Sequence, residues 1–175
     1  MKFTPSPVYN RFPSPLGPML AAATPQGLCG LWFDGQRHQP TTTDRATWAP
    51  APQHPLLLQA AAFMAAYFAG DTARCSLPLD LSRGTPFQQA VWQALLQIPR
   101  GASTSYGALS QDLGRPSAVR AVAGAVGRNP VSVLVPCHRV LGSNGALTGY
   151  AGGLERKAAL LQLEGVLRTP LGVQI

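Results

Sequence analysis

Residues 104–128, TSYGALSQDLGRPSAVRAVAGAVGR, decide how this chain folds. Thr104 or Ser105 can cap a short helix that ends near Leu113-Gly114. Pro116 opens a second helix running to about Gly127. A short helix, a glycine turn and a second helix outline a helix-turn-helix. At about 100° per residue, Val119, Val122 and Val126 fall on one side of the second helix and are expected to pack inward. Ser117, Arg120, Ala121, Gly124 and Arg128 fall on the opposite side. A helix that reads base edges in the major groove offers Asn, Gln or several Arg. This outward side offers small residues around one central arginine, Arg120. It predicts close approach to a surface without base-specific readout, with a long cation reaching into a groove or a base stack. The plainer alternative is a solvated helix with an ordinary surface arginine.

Moving towards the N-terminus, Thr85-Pro86-Phe87-Gln88 reads as a capping box with proline at the first helical position. It starts a helix to about Gln97, broken by Pro99-Arg100-Gly101. Residues 56–69 (LLLQAAAFMAAYFA) form an Ala/Leu helix stopped by Gly70. Residues 14–34 hold two short apolar runs around Thr24-Pro25-Gln26-Gly27, a β-hairpin. Residues 36–55 are polar and rich in Pro and Thr, a loop, and residues 76–82 (SLPLDLS) alternate like a short strand. The chain is therefore read as α/β: a small α/β domain over residues 1–82, then a mainly helical domain with a helix-turn-helix over 83–175.

The 175 residues are 46% hydrophobic and only 12% charged, enough for a full core and unlike a disordered polymer. Gly and Pro number 18 and 17, but without a collagen period. No apolar run approaches the roughly 20 residues of a membrane span, and MKFTPSPVYN lacks an apolar signal core. A soluble cytoplasmic protein with no membrane partner is expected. The three cysteines, Cys29, Cys75 and Cys137, include no CxxC, so neither a disulfide framework nor a zinc ribbon is indicated. Cys29 and Cys75 sit in apolar contexts and are expected to be buried and inert. The net charge is +7. Residues 1–80 carry five bases and four acids, whereas residues 81–175 carry nine bases and three acids. A basic second half suggests a polyanionic partner, nucleic acid before membrane.

The chemistry lies further along. Residues 131–135 (VSVLV) are expected to form a buried strand that ends in Pro136-Cys137-His138-Arg139-Val140. A cysteine beside a histidine at the end of a buried strand is a candidate activated nucleophile. Adjacent side chains of extended chain point to opposite faces, so His138 reaches Cys137 only through a bend or a bridging water. A histidine base needs an orienting acid. Residues 154–164 (LERKAALLQLE) form a helix closed by Gly165, and Glu164 lies between Leu160 and Leu161 on its wheel. A carboxylate there needs a partner, His138 or an arginine. Lys157 shares its angular position two turns earlier. Between strand and helix, residues 142–153 form a glycine-rich loop that can wall a pocket with exposed main-chain groups.

These motifs together resemble the O6-alkylguanine-DNA alkyltransferase family. The resemblance is carried by Asn129-Pro130 before PCHRV, Ser105-Tyr106-Gly107, Arg120-Ala121-Val122, Gly149-Tyr150-Ala151-Gly152-Gly153 and Leu163-Glu164-Gly165. It continues more loosely through Ser14-Pro15-Leu16-Gly17 and Tyr67-Phe68-Ala69-Gly70. It implies a ribonuclease-H-like N-terminal domain and a protein that takes the alkyl group of O6-alkylguanine in double-stranded DNA onto its own cysteine, once and irreversibly; whether O4-alkylthymine is also accepted stays open. It implies Cys137 as acceptor, His138 as base through water, Glu164 as its orienting acid, Asn129 as brace of the active-site turn and Tyr106 as hydrogen-bond partner of the leaving guanine. Backbone at Cys137, Val140 and Ala151 would read the guanine edge, with Tyr150 and Gly152 in the pocket wall. Arg120 would fill the stack after the nucleotide is flipped out, and Ser105, Ser117, Ala121, Gly124 and Arg128 would lie along the DNA. A monomer without cofactor or metal is implied, since Cys29, Cys75, His38 and His54 lack the zinc spacing some members show. Three positions depart from the family pattern: Ser132 in place of proline, Arg100 in place of tyrosine, and Ala151 where some members have serine. Arg100 and Ala151 are expected to bear on DNA affinity and pocket size. A Cys–His–Glu hydrolase, a sequence-reading helix-turn-helix regulator and a lesion-binding protein without transfer activity are the competing readings.

Overall fold

The computed structural model describes residues 5–168. Its N-terminal domain is built on a four-stranded sheet ordered β3-β2-β1-β4, from β1 (Val8–Phe12), β2 (Met19–Thr24), β3 (Gly27–Phe33) and β4 (Ala49–Pro50). The expected hairpin is β2–β3, paired antiparallel from Met19↔Phe33 to Thr24↔Gly27. Two strands escaped the sequence reading. VYNRF became β1 because it pairs antiparallel with β2, and the two residues of β4 pair parallel to β1 from within the expected loop. Helix α1 (Pro55–Phe68) packs Leu57, Ala60, Met64 and Tyr67 against Met19, Ala21, Leu28, Leu31 and Phe33 on one sheet face. The other face carries Leu20, Ala22, Cys29 and Trp32, and Trp48 from the polar segment folds over it. Every β2 residue is therefore buried. Full burial of each large apolar side chain contributes about 1.5–3 kcal/mol.

The C-terminal domain is helical: α2 (Pro86–Leu95), α3 (Tyr106–Asp112), α4 (Val119–Gly127) and α5 (Leu154–Leu163). The capping box at Thr85 and Gln88 is formed in both directions. Trp92 of α2 is buried against α4 and donates its indole N–H to the Ala125 carbonyl at 2.9 Å. Ser105, not Thr104, caps α3, while Thr104–Ser105 (β5) pairs parallel with Val140–Leu141 (β6).

Three local expectations are corrected. Pro116 does not open α4: residues 115–118 form a turn, Ala118 donating to the Arg115 carbonyl, and the helix starts at Val119 without a side-chain cap. Val122 and Val126 pack inward as expected, but Val119 is exposed and Ala125 takes its place in the core. Residues 131–135 are buried but are not a strand. Leu134 donates to the Ser132 carbonyl and Cys137 to the Val135 carbonyl, and Val133 has φ 71°, a conformation that β-branched residues resist. The segment 76–82 likewise shrinks to a single bridge, Leu79 beside Leu28.

That bridge and the active-site turn both dock on the free edge of β3. Leu28 donates to the Pro78 carbonyl and accepts from Asp80. Leu31 donates to the Pro130 carbonyl and accepts from Ser132 at 2.8 Å. A proline at 132 would have no N–H to give, so Ser132 supplies a tether to β3 that proline could not. Cys75 is only half-buried, whereas burial pushes the Cys29 thiol up to about 12. Among the described residues, no helix is long and apolar enough to cross a membrane.

Candidate active site

The turn 129–137 presents the sulfur. Asn129 braces it from inside: Oδ1 accepts from the Val131 N–H at 2.9 Å, while Nδ2 donates to the Val135 carbonyl at 2.7 Å and to Cys137 Sγ at 3.0 Å. Cys137 opens a 3-10 turn (Cys137–Arg139), and this bend replaces the extended geometry that the strand reading required. Sγ lines a cavity of about 380 Å³, walled by Tyr106 of α3, by Gly124 and Val126 of α4, and by Thr148, Gly149, Tyr150 and Ala151 of the glycine-rich loop. That volume suits a small organic group with a ring.

Behind the sulfur, His138 is fully buried, and its Nε2 lies 2.9 Å from Glu164 Oε1. A carboxylate only accepts, so Nε2 carries the proton and Nδ1 is the basic nitrogen. Nδ1 has no hydrogen-bond partner among the described residues. Glu164 also receives Arg139 Nε on Oε2 and Nη2 on Oε1, both at 2.8 Å, and the Tyr67 hydroxyl on Oε1 at 2.7 Å. Burial alone would raise its carboxyl, but the bonds from Arg139, His138 and Tyr67 outweigh that and hold it far below the usual range. Burial lowers the basicity of His138, and Arg139 and Lys157 add to this against the opposing pull of Glu164. Burial also raises the Cys137 thiol, although Asn129 and Lys157 work the other way. At rest the site therefore holds a thiol, a neutral imidazole and a carboxylate.

Lys157 was noted only as sharing Glu164's helical position. Both side chains are buried, as that shared apolar face implied. Lys157 Nζ donates to the carbonyls of Val140, Thr148 and Gly149 at 2.5, 2.9 and 3.1 Å, stapling the glycine-rich loop to β6. Burial draws it down to about 8.

The other expected residues divide. Tyr106, Tyr150, Ala151, Gly124 and Arg128 line the cavity with Cys137. Val140 and Gly152 do not: Val140 is buried with its carbonyl on Lys157, and the Gly152 carbonyl accepts from Arg156. Gly152 still shapes the wall, because a Cβ there would meet the Tyr150 ring at 2.7 Å. Ser105 spends its hydroxyl on the N–H of Ala108. Arg120, Ser117 and Ala121 are exposed on or just before α4, outside the cavity lining. Arg37 and His38, from the loop after β3, line the rim and were not foreseen. Arg100 turns away from the α4 face, donating to the carbonyls of Asp71 and Leu163 and stacking 5.0 Å from the Tyr67 ring. Among the described residues, no three His, Cys, Asp or Glu side chains gather as a metal site.

A sheet-bearing domain joined to a helix-turn-helix domain that carries a buried cysteine, histidine and carboxylate defines a narrow, thiol-centred class of proteins. Comparison with known proteins agrees. Residues 8–81 match the ribonuclease-like domain of 6-O-methylguanine DNA methyltransferase and residues 86–166 match its DNA binding domain. The chain is 46% identical over 156 residues to a methylated-DNA–protein-cysteine methyltransferase of Mycobacterium bovis, covering 89% of this chain and 91% of that one. The Haemophilus influenzae protein of the same name is 40% identical, over 89% and 85% of the two chains. The crystal structure of Mycobacterium tuberculosis OGT in complex with DNA superposes with a TM-score of 0.82 at 45% identity, covering 90% and 92%. The chain belongs to the 6-O-methylguanine DNA methyltransferase family.

Proposed function

We propose that this protein repairs DNA directly, by moving the alkyl group of an O6-alkylguanine in duplex DNA onto Cys137. The observation that carries the reading is the sulfur at the cavity wall, held by Asn129 and backed by a histidine whose far nitrogen is fixed by a buried carboxylate. In the reaction His138 Nδ1 takes the thiol proton through a bridging water, with Glu164 stabilising the imidazolium. The thiolate attacks the alkyl carbon, an S–C bond forms, and the C–O6 bond breaks. The leaving guanine gains a proton with the help of Tyr106, which lines the cavity and whose hydroxyl makes long contacts among the described residues, 3.3 and 3.4 Å, to the Thr148 and Gly149 carbonyls. The thioether has no easy route back to thiol, so each molecule acts once. No cofactor or metal enters this scheme.

For the base to reach a buried sulfur it must leave the stack, at a cost of a few kcal/mol that a lesion lowers. The exposed face of α4 supports minor-groove docking: Ala121 and Gly124 let the helix come close, and Arg120 projects where it can fill the gap. Main-chain groups around Cys137 and Ala151 would read the guanine edge, with Tyr150 as wall. We place the domain boundary at residues 82–83 and read the protein as a cytoplasmic monomer. The test is stoichiometry. With excess duplex containing O6-methylguanine, one lesion per protein molecule should be repaired before activity ceases. Continued turnover, on DNA or on a chromogenic ester, would instead indicate the hydrolase.

A further inference from the structure

The carboxylate behind His138 is gripped from both domains. Oε1 of Glu164 takes three donors, His138 Nε2 at 2.9 Å, Arg139 Nη2 at 2.8 Å and the Tyr67 hydroxyl at 2.7 Å, while among the described residues Oε2 takes Arg139 Nε. Tyr67 comes from α1, 97 residues away in sequence, and is 6% exposed. We propose that Tyr67 is a positioning residue for alkyl transfer: a phenol supplied by the N-terminal domain that sets how strongly Glu164 pulls on the Nε2 proton of His138. This rests on the reading of Cys137 as acceptor and His138 as its base.

A carboxylate oxygen offers about two acceptor directions, and three donors on Oε1 oversubscribe it. They compete, so each one weakens the others' share of the charge. Two of them are held by their own domain, on the turn that carries Cys137. The third comes from the N-terminal domain, on α1, whose buried face otherwise packs Leu57, Ala60 and Met64 into the apolar core. Tyr67 stays a phenol, since burial and the neighbouring carboxylate both oppose its ionisation. It is therefore a fixed donor throughout the range in which histidine titrates. Arg100, 5.0 Å from its ring, and Phe68, edge-on at 5.4 Å, hold the phenol in place. The other titratable and charged groups facing the pair are Arg139 on the active-site turn, Lys157 on α5, Cys137 itself and Tyr150 of the glycine-rich loop. Arg139 and Lys157 disfavour imidazolium, and Glu164 alone favours it. Taking the phenol off Oε1 strengthens that one favourable partner, so the imidazole becomes more basic. The N-terminal domain is then more than a scaffold, because it tunes the base of a reaction centred in the other domain.

Tyr67→Phe removes the hydroxyl and keeps the ring in the core. It leaves Oε1 with two donors, so no buried acceptor is orphaned and the fold should hold. Three measurements on the full chain decide the matter: single-turnover transfer from a duplex with one O6-methylguanine as a function of pH, the His138 ring titration by NMR, and thermal unfolding. In Tyr67→Phe the acid limb of the rate profile and the His138 titration should move together to higher pH by about half a unit or more. The unfolding temperature should change by no more than about 2 °C. In a Glu164→Gln background the same substitution should leave the His138 titration where it is. An unmoved titration in Tyr67→Phe, with or without a large fall in unfolding temperature, would make the phenol structural and overturn the proposal. So would an equal shift in the Glu164→Gln background. A wild-type protein that transfers no methyl group would instead fail the reading of the site.

Discussion

Burial keeps the Cys137 sulfur protonated at rest, so its reactivity depends on a proton leaving as substrate arrives. His138 is arranged for that: neutral, its protonated nitrogen committed to Glu164 and its basic one unspent. Glu164→Gln keeps the shape but removes the charge that stabilises imidazolium. Transfer should slow by about 100-fold, within the usual worth of a positioned acid–base group; a single-turnover rate equal to wild type would remove Glu164 from the relay. Asn129→Ala deletes three hydrogen bonds inside one turn. At about 1 kcal/mol each it should lower stability by about 3 kcal/mol, seen in thermal unfolding, and abolish transfer. Much of this was legible in the sequence. The pentapeptide around Cys137 gave the sulfur and its neighbour, and the helical wheel put Glu164 and Lys157 on a buried face. Tyr67 was not legible as a partner, because α1 reads simply as an apolar helix and the acceptor of its hydroxyl lies in the other domain.

Among the elements, α4 is the one we propose to dock on DNA, within the region that matches a DNA binding domain. Its inner side is Val122, Ala125 and Val126, and its outer side presents Arg120 over small residues. Arg120→Ala should slow repair in duplex DNA by 10-fold or more while reaction with free O6-alkylguanine base changes little, since only the duplex reaction requires extrusion of the base, which costs about a few kcal/mol. Equal slowing of both, in parallel rate measurements, would exclude the flipping role. Helix existence was legible here and helix starts were not. The turn at residues 115–118 satisfies its own backbone, which moved the start of α4 from Pro116 to Val119. The run 131–135 misled because a short stretch dominated by four apolar residues looks the same whether buried as a strand or as a turn. Asn129 braces the turn by reaching the carbonyl of Val135, six residues on, a role that the family resemblance implied and the apolar pattern does not show.

The whole molecule is two domains meeting along the free edge of β3, where Leu31 pairs with Pro130 and Ser132 at the root of the active-site turn. The hairpin, α1 and the helix-turn-helix could be read from local signals. The cover of the outer sheet face could not, because a single Trp48 in a polar segment does that work. Two buried groups tie stability to pH. His138 lies below its ordinary 6.5 and Glu164 below its ordinary 4.5, so the unfolded chain binds more protons than the folded one as the pH falls through each value. The stability that these two groups supply is therefore complete above about 6.5 and drops as acid takes the chain below it and then below 4.5, with the unfolding temperature following over that range. A flat profile across that window would contradict the buried relay.

The central claim is that Cys137 itself receives the alkyl group. Mixing the protein with a slight excess of duplex carrying one O6-methylguanine, digesting it and weighing the peptides tests this directly. The account predicts one added methyl group on the peptide that contains Cys137, and none in Cys137→Ser. An unmodified Cys137 peptide in the wild-type protein, under conditions where the duplex is bound or the lesion disappears, would contradict it.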